Sequence, residues 1–378
     1  LKRHGGGVPW GSTVCGMQSR GIIQIAHRQR TAWRVGPPRF AIVVAIAFAV
    51  CLFGGGHRSW FVGTSRVHRG NAALDRPLHP MRAAQLEEFG ADFDDEPQWH
   101  AAPPEWPRHL ADLFVSLGPF DAASEFVELA PNAPLWQTLV CNALSYLPLN
   151  DFDVKAWLNM GPVHLLTRAQ MEKLFAFAGV RTPLPRILDI GAGEGHLTAE
   201  LRLLGRSLVA AETSAGCAWR LRRQGYMVWK EDVAETADAR AAAGEGNFSL
   251  AAVCNVLDRC ARPKQLLCGA KTLLGEGQWL LLATPLPFIP SFYGWRSRWS
   301  GRPLEFLGLS DVVNDGDNSN GAVADAAWVS HSQQLLEEVL PAHGFIVRAV
   351  SRVPYLSAGD AFEPCLELDD LVVLAQKV

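Results

Sequence analysis

The stretch Arg186-Ile187-Leu188-Asp189-Ile190-Gly191-Ala192-Gly193-Glu194-Gly195 runs an apolar segment, with an acid near its end, into three glycines at alternate positions. The segment has the composition of a strand buried on both faces, and a helix is predicted to follow the glycines. Glycine lets the backbone turn tightly and come close to a ligand where a Cβ would intrude. The stretch therefore reads as a cofactor loop, with Asp189, Gly191, Gly193 and Gly195 lining it. A second acid, Glu212, ends the next apolar run, Ser207-Leu208-Val209-Ala210-Ala211, where a ribose hydroxyl pair needs an acceptor. Asp232 follows a third run.

From 186 onward, apolar runs alternate with helical patterns, as in a mostly parallel sheet covered on both faces. Strands are predicted near 186–190, 207–212, 226–230, 248–255, 278–284, 345–353 and 367–375, and helices near 194–204, 214–224, 264–274 and 329–342. The last two strands read as a hairpin turning at Ser357-Ala358-Gly359-Asp360. The expected fold class is α/β, a seven-stranded Rossmann-like sheet over 182–378 with a helical extension at 108–181 in front of it. A long insertion, about 287–327, starts at the carboxyl end of the fifth strand, where open sheets bind ligands. Its aromatic and arginine-rich first half, Pro287 to Trp299, reads as a substrate wall, and Asp311 to Asp325 as a mobile segment.

At 378 residues and 48% hydrophobic composition, the chain can bury a full core. A formal charge of -3 provides no electropositive field, which disfavours a nucleic-acid partner. Eight cysteines show no C-x-x-C pair and no spacing that would hold a metal, so they read as small core residues. The first methionine is Met17, so residues 1–16 are left out of the fold reading as possible upstream sequence. Residues 17–56 combine arginines with the uninterrupted apolar run Phe40–Phe53, a signal or signal-anchor pattern that directs the chain to the endoplasmic reticulum or secretory pathway and allows membrane association. An arginine-rich transit peptide for the mitochondrion or another organelle is the alternative, because 17–39 lacks acids. Residues 57–107, with an acidic cluster from Glu87 to Glu96, read as a flexible linker.

Two cofactors compete for the glycine loop. The dinucleotide fingerprint G-x-G-x-x-G needs glycine where His196 stands, whereas the observed G-x-G-x-G after an acid resembles the first motif of class I S-adenosylmethionine-dependent methyltransferases. Cys254-Asn255-Val256-Leu257-Asp258-Arg259-Cys260 narrows the family. With Ala211-Glu212-Thr213-Ser214, Leu286-Pro287-Phe288, Pro354-Tyr355-Leu356 and Leu368-Asp369-Asp370, it resembles the DREV, or methyltransferase-like protein 9, family over roughly 125–378. That resemblance implies methylation, by S-adenosyl-L-methionine, of the pros nitrogen of histidine in His-x-His sequences of target proteins. It also implies an amino-terminal hydrophobic leader.

The residue types suit that chemistry. Imidazole, with a pKa near 6.5, is mostly neutral at pH 7, so the task is choosing a nitrogen rather than removing a proton. A carboxylate accepting from the tele N–H leaves the pros lone pair facing the methyl donor. Asp258 is the candidate orienter, with Asn255 as a polar contact and Tyr355 shaping the acceptor side. Asp258 could instead cap a helix or pair with Arg259, Asn255 could be a turn residue, and Tyr355 a buried core tyrosine. Glu212 is assigned to the ribose, Asp232 to the adenine amino group, and His196 to the start of a helix. The chain departs from the family at Glu363-Pro364-Cys365-Leu366-Glu367 and around Ser291-Phe292-Tyr293, which affects acceptor preference. A small-molecule methyltransferase of the same fold, and a non-catalytic cofactor-binding protein, are the competing readings.

Overall fold

A computed structural model describes residues 103–129, 134–144, 150–290, 292–293, 300–301, 303–309, 321–359 and 365–378. The predicted leader, the acidic cluster, most of the linker, the Asp311-to-320 part of the insertion and residues 360–364 lie outside the described residues, and of the predicted turn Ser357 and Ala358 belong to the strand that ends at Ala358. No helix among the described residues is long and apolar enough to cross a membrane.

The strands of the main sheet are β1 (Val163–His164), β2 (Leu184–Ile190), β3 (Gly205–Ala211), β4 (Met227–Trp229), β5 (Phe248–Cys254), β6 (Leu274–Pro285), β9 (Phe345–Ala358) and β10 (Cys365–Lys377), while β7 (Phe292–Tyr293) and β8 (Ser300–Gly301) form a separate short pair. The sheet order is β1-β9-β10-β6-β5-β2-β3-β4. β4, β3, β2, β5 and β6 run parallel, and β10 enters antiparallel between β6 and β9. Seven strands were expected. The eighth is β1, two residues of the extension laid antiparallel on β9, too short for any periodicity to reveal.

Side chains alternate along each strand between two cores. Leu188, Val209, Val253, Leu282 and Val373 face one side, against Leu266, Leu267, Ala270 and Leu273 of α9 (Pro263–Leu273) and Leu335 and Leu336 beyond α10 (Gly321–Gln334). Ile187, Leu250, Leu281 and Val372 face the other, with Met171, Leu174 and Phe175 of α5 (Arg168–Phe177), Leu201 of α6 (His196–Arg202) and Leu221 of α7 (Ala215–Arg223). Both faces are thus sealed, as a parallel sheet requires.

The extension is helical as expected: α1 (Arg108–Ala111), α2 (Asp121–Leu129), α3 (Leu135–Leu144), α4 (Asp151–Leu158) and α5, which opens on a capping box at Thr167 and Gln170. It covers the sheet edge: β1 pairs with β9, and alongside it Val115 N–H donates to the Val350 carbonyl while Val350 N–H donates to the Leu113 carbonyl. Its packing starts before the predicted boundary of 108, because Trp106 is buried, stacks on Trp328 and donates its indole N–H to Ser332 at 2.8 Å. Between β4 and β5 the structure adds a helix the sequence reading missed, α8 (Val233–Ala242). The insertion is shorter than predicted, since α10 begins at Gly321 rather than near 329.

Candidate active site

The cofactor loop leaves β2 at Ile190 and enters α6 at His196, as predicted. Gly191, Gly193 and Gly195 all have positive φ (75°, 55° and 93°), a region L side chains rarely adopt. A Cβ on Gly191 would stand 2.3 Å from Val256 Cγ2, whereas one on Gly193 would meet nothing within 4 Å. The space at Gly193 is therefore open. Asp189 is buried beneath it and accepts from the Thr198 hydroxyl at 2.6 Å. Burial pushes its carboxyl up to about 6, with the Thr198 hydrogen bond opposing and the Glu212 charge adding to the rise.

Glu212, at the mouth of β3, accepts from the backbone N–H groups of Gly193 at 2.8 Å and Ser214 at 2.7 Å. Burial raises its pKa and those amides oppose the rise. Each carboxylate oxygen keeps acceptor capacity beyond its one amide. Asp232 is the N-cap of α8, accepting from Ala234 N–H at 3.0 Å, so it has a structural role beside any contact with a base.

The extension reaches this rim as well. Asp153 of α4 accepts from the Ser214 hydroxyl at 2.5 Å and from Gly216 N–H at 2.8 Å, at the start of α7. Arg220 of α7 lies 3.2 Å from Glu194 in the glycine loop and donates to the Ala156 carbonyl. Covering the sheet edge was the expected role; the structure adds contact with the cofactor rim.

Asn255, Asp258 and Tyr355 come together at the carboxyl end of the sheet. Asn255 follows β5 with φ 56°, a turn conformation asparagine tolerates, and its N–H is held by the Ala283 carbonyl at 2.8 Å. Asp258, buried in a 3₁₀ turn (Leu257–Arg259), accepts from Arg259 Nε at 3.1 Å through Oδ2 and has no hydrogen-bond partner at Oδ1. The two modest alternatives, turn residue and arginine partner, are therefore real structural roles. Arg259 lies over the Tyr355 ring, 5.6 Å from its centroid. Burial pushes Asp258 and Tyr355 up, with Arg259 opposing in both. Burial disfavours the charged form of Arg259, and Asp258, Tyr355 and Asp370 more than offset that.

The sequence reading assigned no role to Arg259 or Asp370. The available signal was two acids, Asp369 and Asp370, just before an apolar strand run. The register of β10 sends them to opposite faces: Asp369 to Arg352 at 2.9 Å on the α10 side, and Asp370, fully buried, toward Asn255, Asp258 and Arg259. No group of three or more His, Cys, Asp or Glu among the described residues is arranged to hold a metal.

A family model described as DREV methyltransferase matches residues 99–377, which include every site residue named above. The chain belongs to the DREV methyltransferase family. Among solved structures, the chain is similar to the N-methyltransferase NodS from Bradyrhizobium japonicum WM9 in complex with S-adenosyl-L-homocysteine, at 12% identity and TM-score 0.34, covering 56% of this chain and 85% of that one. It is also similar to the 1,6-didemethyltoxoflavin-N1-methyltransferase of Burkholderia thailandensis, at 19% identity and TM-score 0.33, covering 54% and 74%. The fold itself rests on the strand order above. This DREV methyltransferase uses S-adenosyl-L-methionine as its cofactor, and its residues fit that molecule. Glu212 and Asp189 are buried carboxylates that could accept from its ribose hydroxyls and ammonium, and the space at Gly193 is open where a side chain would stand.

Proposed function

We propose that the chain methylates the pros nitrogen of histidine in His-x-His sequences of target proteins. S-Adenosyl-L-methionine supplies an electrophilic methyl group on a sulfonium. Asp189 and the glycine loop hold the methionyl part, Glu212 the ribose hydroxyls and Asp232 the adenine amino group. Asp258 accepts a hydrogen bond from the tele N–H of the substrate imidazole, leaving the pros lone pair directed at the methyl carbon. Transfer of the methyl group from sulfur to the pros nitrogen would leave positive charge on the ring, and Asp258 would stabilise it until the tele proton leaves. Asn255 and Tyr355 border the ring. Rate acceleration comes from alignment, with reacting atoms held at about 3–3.5 Å.

The observation that carries this reading is the unpartnered Oδ1 of the buried Asp258, in a turn whose sequence belongs to the DREV family. A buried carboxylate lacking a partner on one oxygen is costly unless a ligand supplies the donor. The leader at 17–56 supports action on proteins of the secretory pathway. The test is transfer of labelled methyl from the cofactor to a peptide containing His-Ala-His and to the same peptide with both histidines replaced by alanine, using wild type and Asp258→Ala. Label on the histidine peptide alone, lost in Asp258→Ala, supports the reading. Bound cofactor with no peptide label from wild type refutes it in favour of a small-molecule acceptor or a non-catalytic protein.

A further inference from the structure

Most of the buried side-chain polar atoms without a hydrogen-bond partner, among the described residues, gather at the acceptor end of the sheet: both amide atoms of Asn255, Oδ1 of Asp258, and both carboxyl oxygens of Asp370. Asp370 is the extreme member. It lies within β10 opposite Pro285 of β6 and Val353 of β9, with no exposure at all. Leaving a buried polar group unpaired costs about 1–3 kcal/mol, and an ionised one more.

The groups around it set its state. Asp258 and Arg259 come from the turn after β5, Cys254 and Asn255 from the end of β5, Tyr355 from β9, and Asp369 from its own strand. Two carboxyl groups, Asp258 and Asp370, thus share a single guanidinium. Arg259 is bonded to Asp258. Two anions and one cation in a dry site leave a net buried negative charge, which a proton on one carboxyl removes.

We propose that Asp370 is a positioning residue for methyl transfer: it stands in the acceptor site as a neutral acid, which leaves Arg259 undivided and keeps Asp258 as the single ionised carboxylate facing the substrate. This rests on the reading of Asp258 as the orienting carboxylate. Burial is the largest influence raising the Asp370 pKa, the Asp258 charge adds to it, and Arg259 and the nearby Asn255 amide oppose. Asn255 is close to Asp370, yet no atom of either side chain meets hydrogen-bond geometry, so burial and charge govern the group. An acid whose pKa is raised well above the usual carboxylate range holds its proton to higher pH than a free carboxyl and loses it as pH rises further. Once ionised, Asp370 competes for Arg259, and activity falls on the alkaline side.

The test compares full-length wild type, Asp370→Ala and Asp370→Asn for cofactor-product affinity, kcat and KM on a His-Ala-His peptide, and the pH profile of kcat. Asp370→Ala is expected to lose on the order of 100-fold in kcat, the cost of a misplacement of about 1 Å, while S-adenosyl-L-homocysteine affinity holds. Asp370→Asn, which keeps shape and neutrality but cannot ionise, restores most of that loss and removes the alkaline fall. Equal inactivity of both variants, or no effect of either, overturns the proposal. Infrared spectroscopy of the carboxyl stretch separates it from the histidine reading. A protonated-carboxyl band at pH 7 in wild type, missing in Asp370→Asn, is expected whatever the acceptor, and its absence from wild type overturns the proposal even if histidine is methylated.

Discussion

Gly191→Ala tests how tightly the cofactor loop is locked to the acceptor-side turn. Gly191 sits at φ 75°, and a methyl group there would lie 2.3 Å from Val256 Cγ2 and 3.4 Å from Cγ1. The left-handed conformation costs alanine roughly 1–2 kcal/mol. Overpacking against Val256 adds about 1–3 kcal/mol. A total of about 2–5 kcal/mol is a large share of the 5–15 kcal/mol typical of a domain. Val256→Ala removes both Cγ atoms and leaves Cβ at 3.5 Å, an ordinary contact. The double variant therefore keeps the backbone cost but escapes the clash, and the two substitutions are non-additive by about 1–3 kcal/mol. Urea unfolding of wild type, both single variants and the double variant measures that coupling. Because Val256 adjoins Asn255, kcat should recover together with stability. Additivity within about 0.5 kcal/mol would refute the claim that Val256 is what forbids a side chain at 191.

Other outcomes follow from the same geometry. Gly193→Ala, at φ 55° with nothing within 4 Å, should cost only about 1 kcal/mol of stability, yet abolish measurable S-adenosyl-L-homocysteine binding by calorimetry, since its methyl fills the ligand's space. Asp189, raised to about 6, binds protons more readily folded than unfolded, so it removes stability as pH rises from about 4 to 6. A ligand ammonium favours the ionised form, so S-adenosyl-L-homocysteine affinity should increase with pH up to about 6, by at most about tenfold per unit, and then level off. Thr198→Val deletes the hydrogen bond that lowers this pKa and should move the midpoint upward; an unmoved midpoint assigns the titration elsewhere. Asp153→Ala frees the Ser214 hydroxyl and Gly216 N–H and should cost about 1–2 kcal/mol in urea unfolding while weakening cofactor-product binding. Unchanged binding would confine the extension to covering the sheet edge.

The doubly covered sheet was legible because its strands are apolar runs ending on acids, and glycine spacing at 191–195 set the cofactor loop. What escaped had weak local signals. In α8, Val-Ala-Glu-Thr-Ala-Asp-Ala-Arg-Ala-Ala buries only Val233 and Ala237, so its periodicity is faint and its alanines were the better cue. The start of β6, Leu274-Gly275-Glu276-Gly277, has the composition of a turn, and the pairing with β5 is interrupted there, passing from Leu274 to Trp279. The positions of Asp189, Glu212 and Asp232 were readable because each stands at or just after the end of a strand. Asp370 and Arg259 were not, because their meeting depends on β10 inserting between β6 and β9, a pairing between segments distant in sequence. Asp258 was singled out through its motif, and the pairing with Arg259 raised as its alternative role is present in the turn.

The central claim is that Asp258 selects the nitrogen that receives the methyl group. The direct measurement is acid hydrolysis of the methylated His-Ala-His peptide and chromatographic separation of the pros- and tele-methylhistidine isomers, with wild type and Asp258→Asn. The account predicts the pros isomer alone from wild type, and from Asp258→Asn a much slower reaction whose residual product includes the tele isomer. Tele-methylhistidine from wild type, or a residual product from Asp258→Asn that remains purely pros, would contradict it.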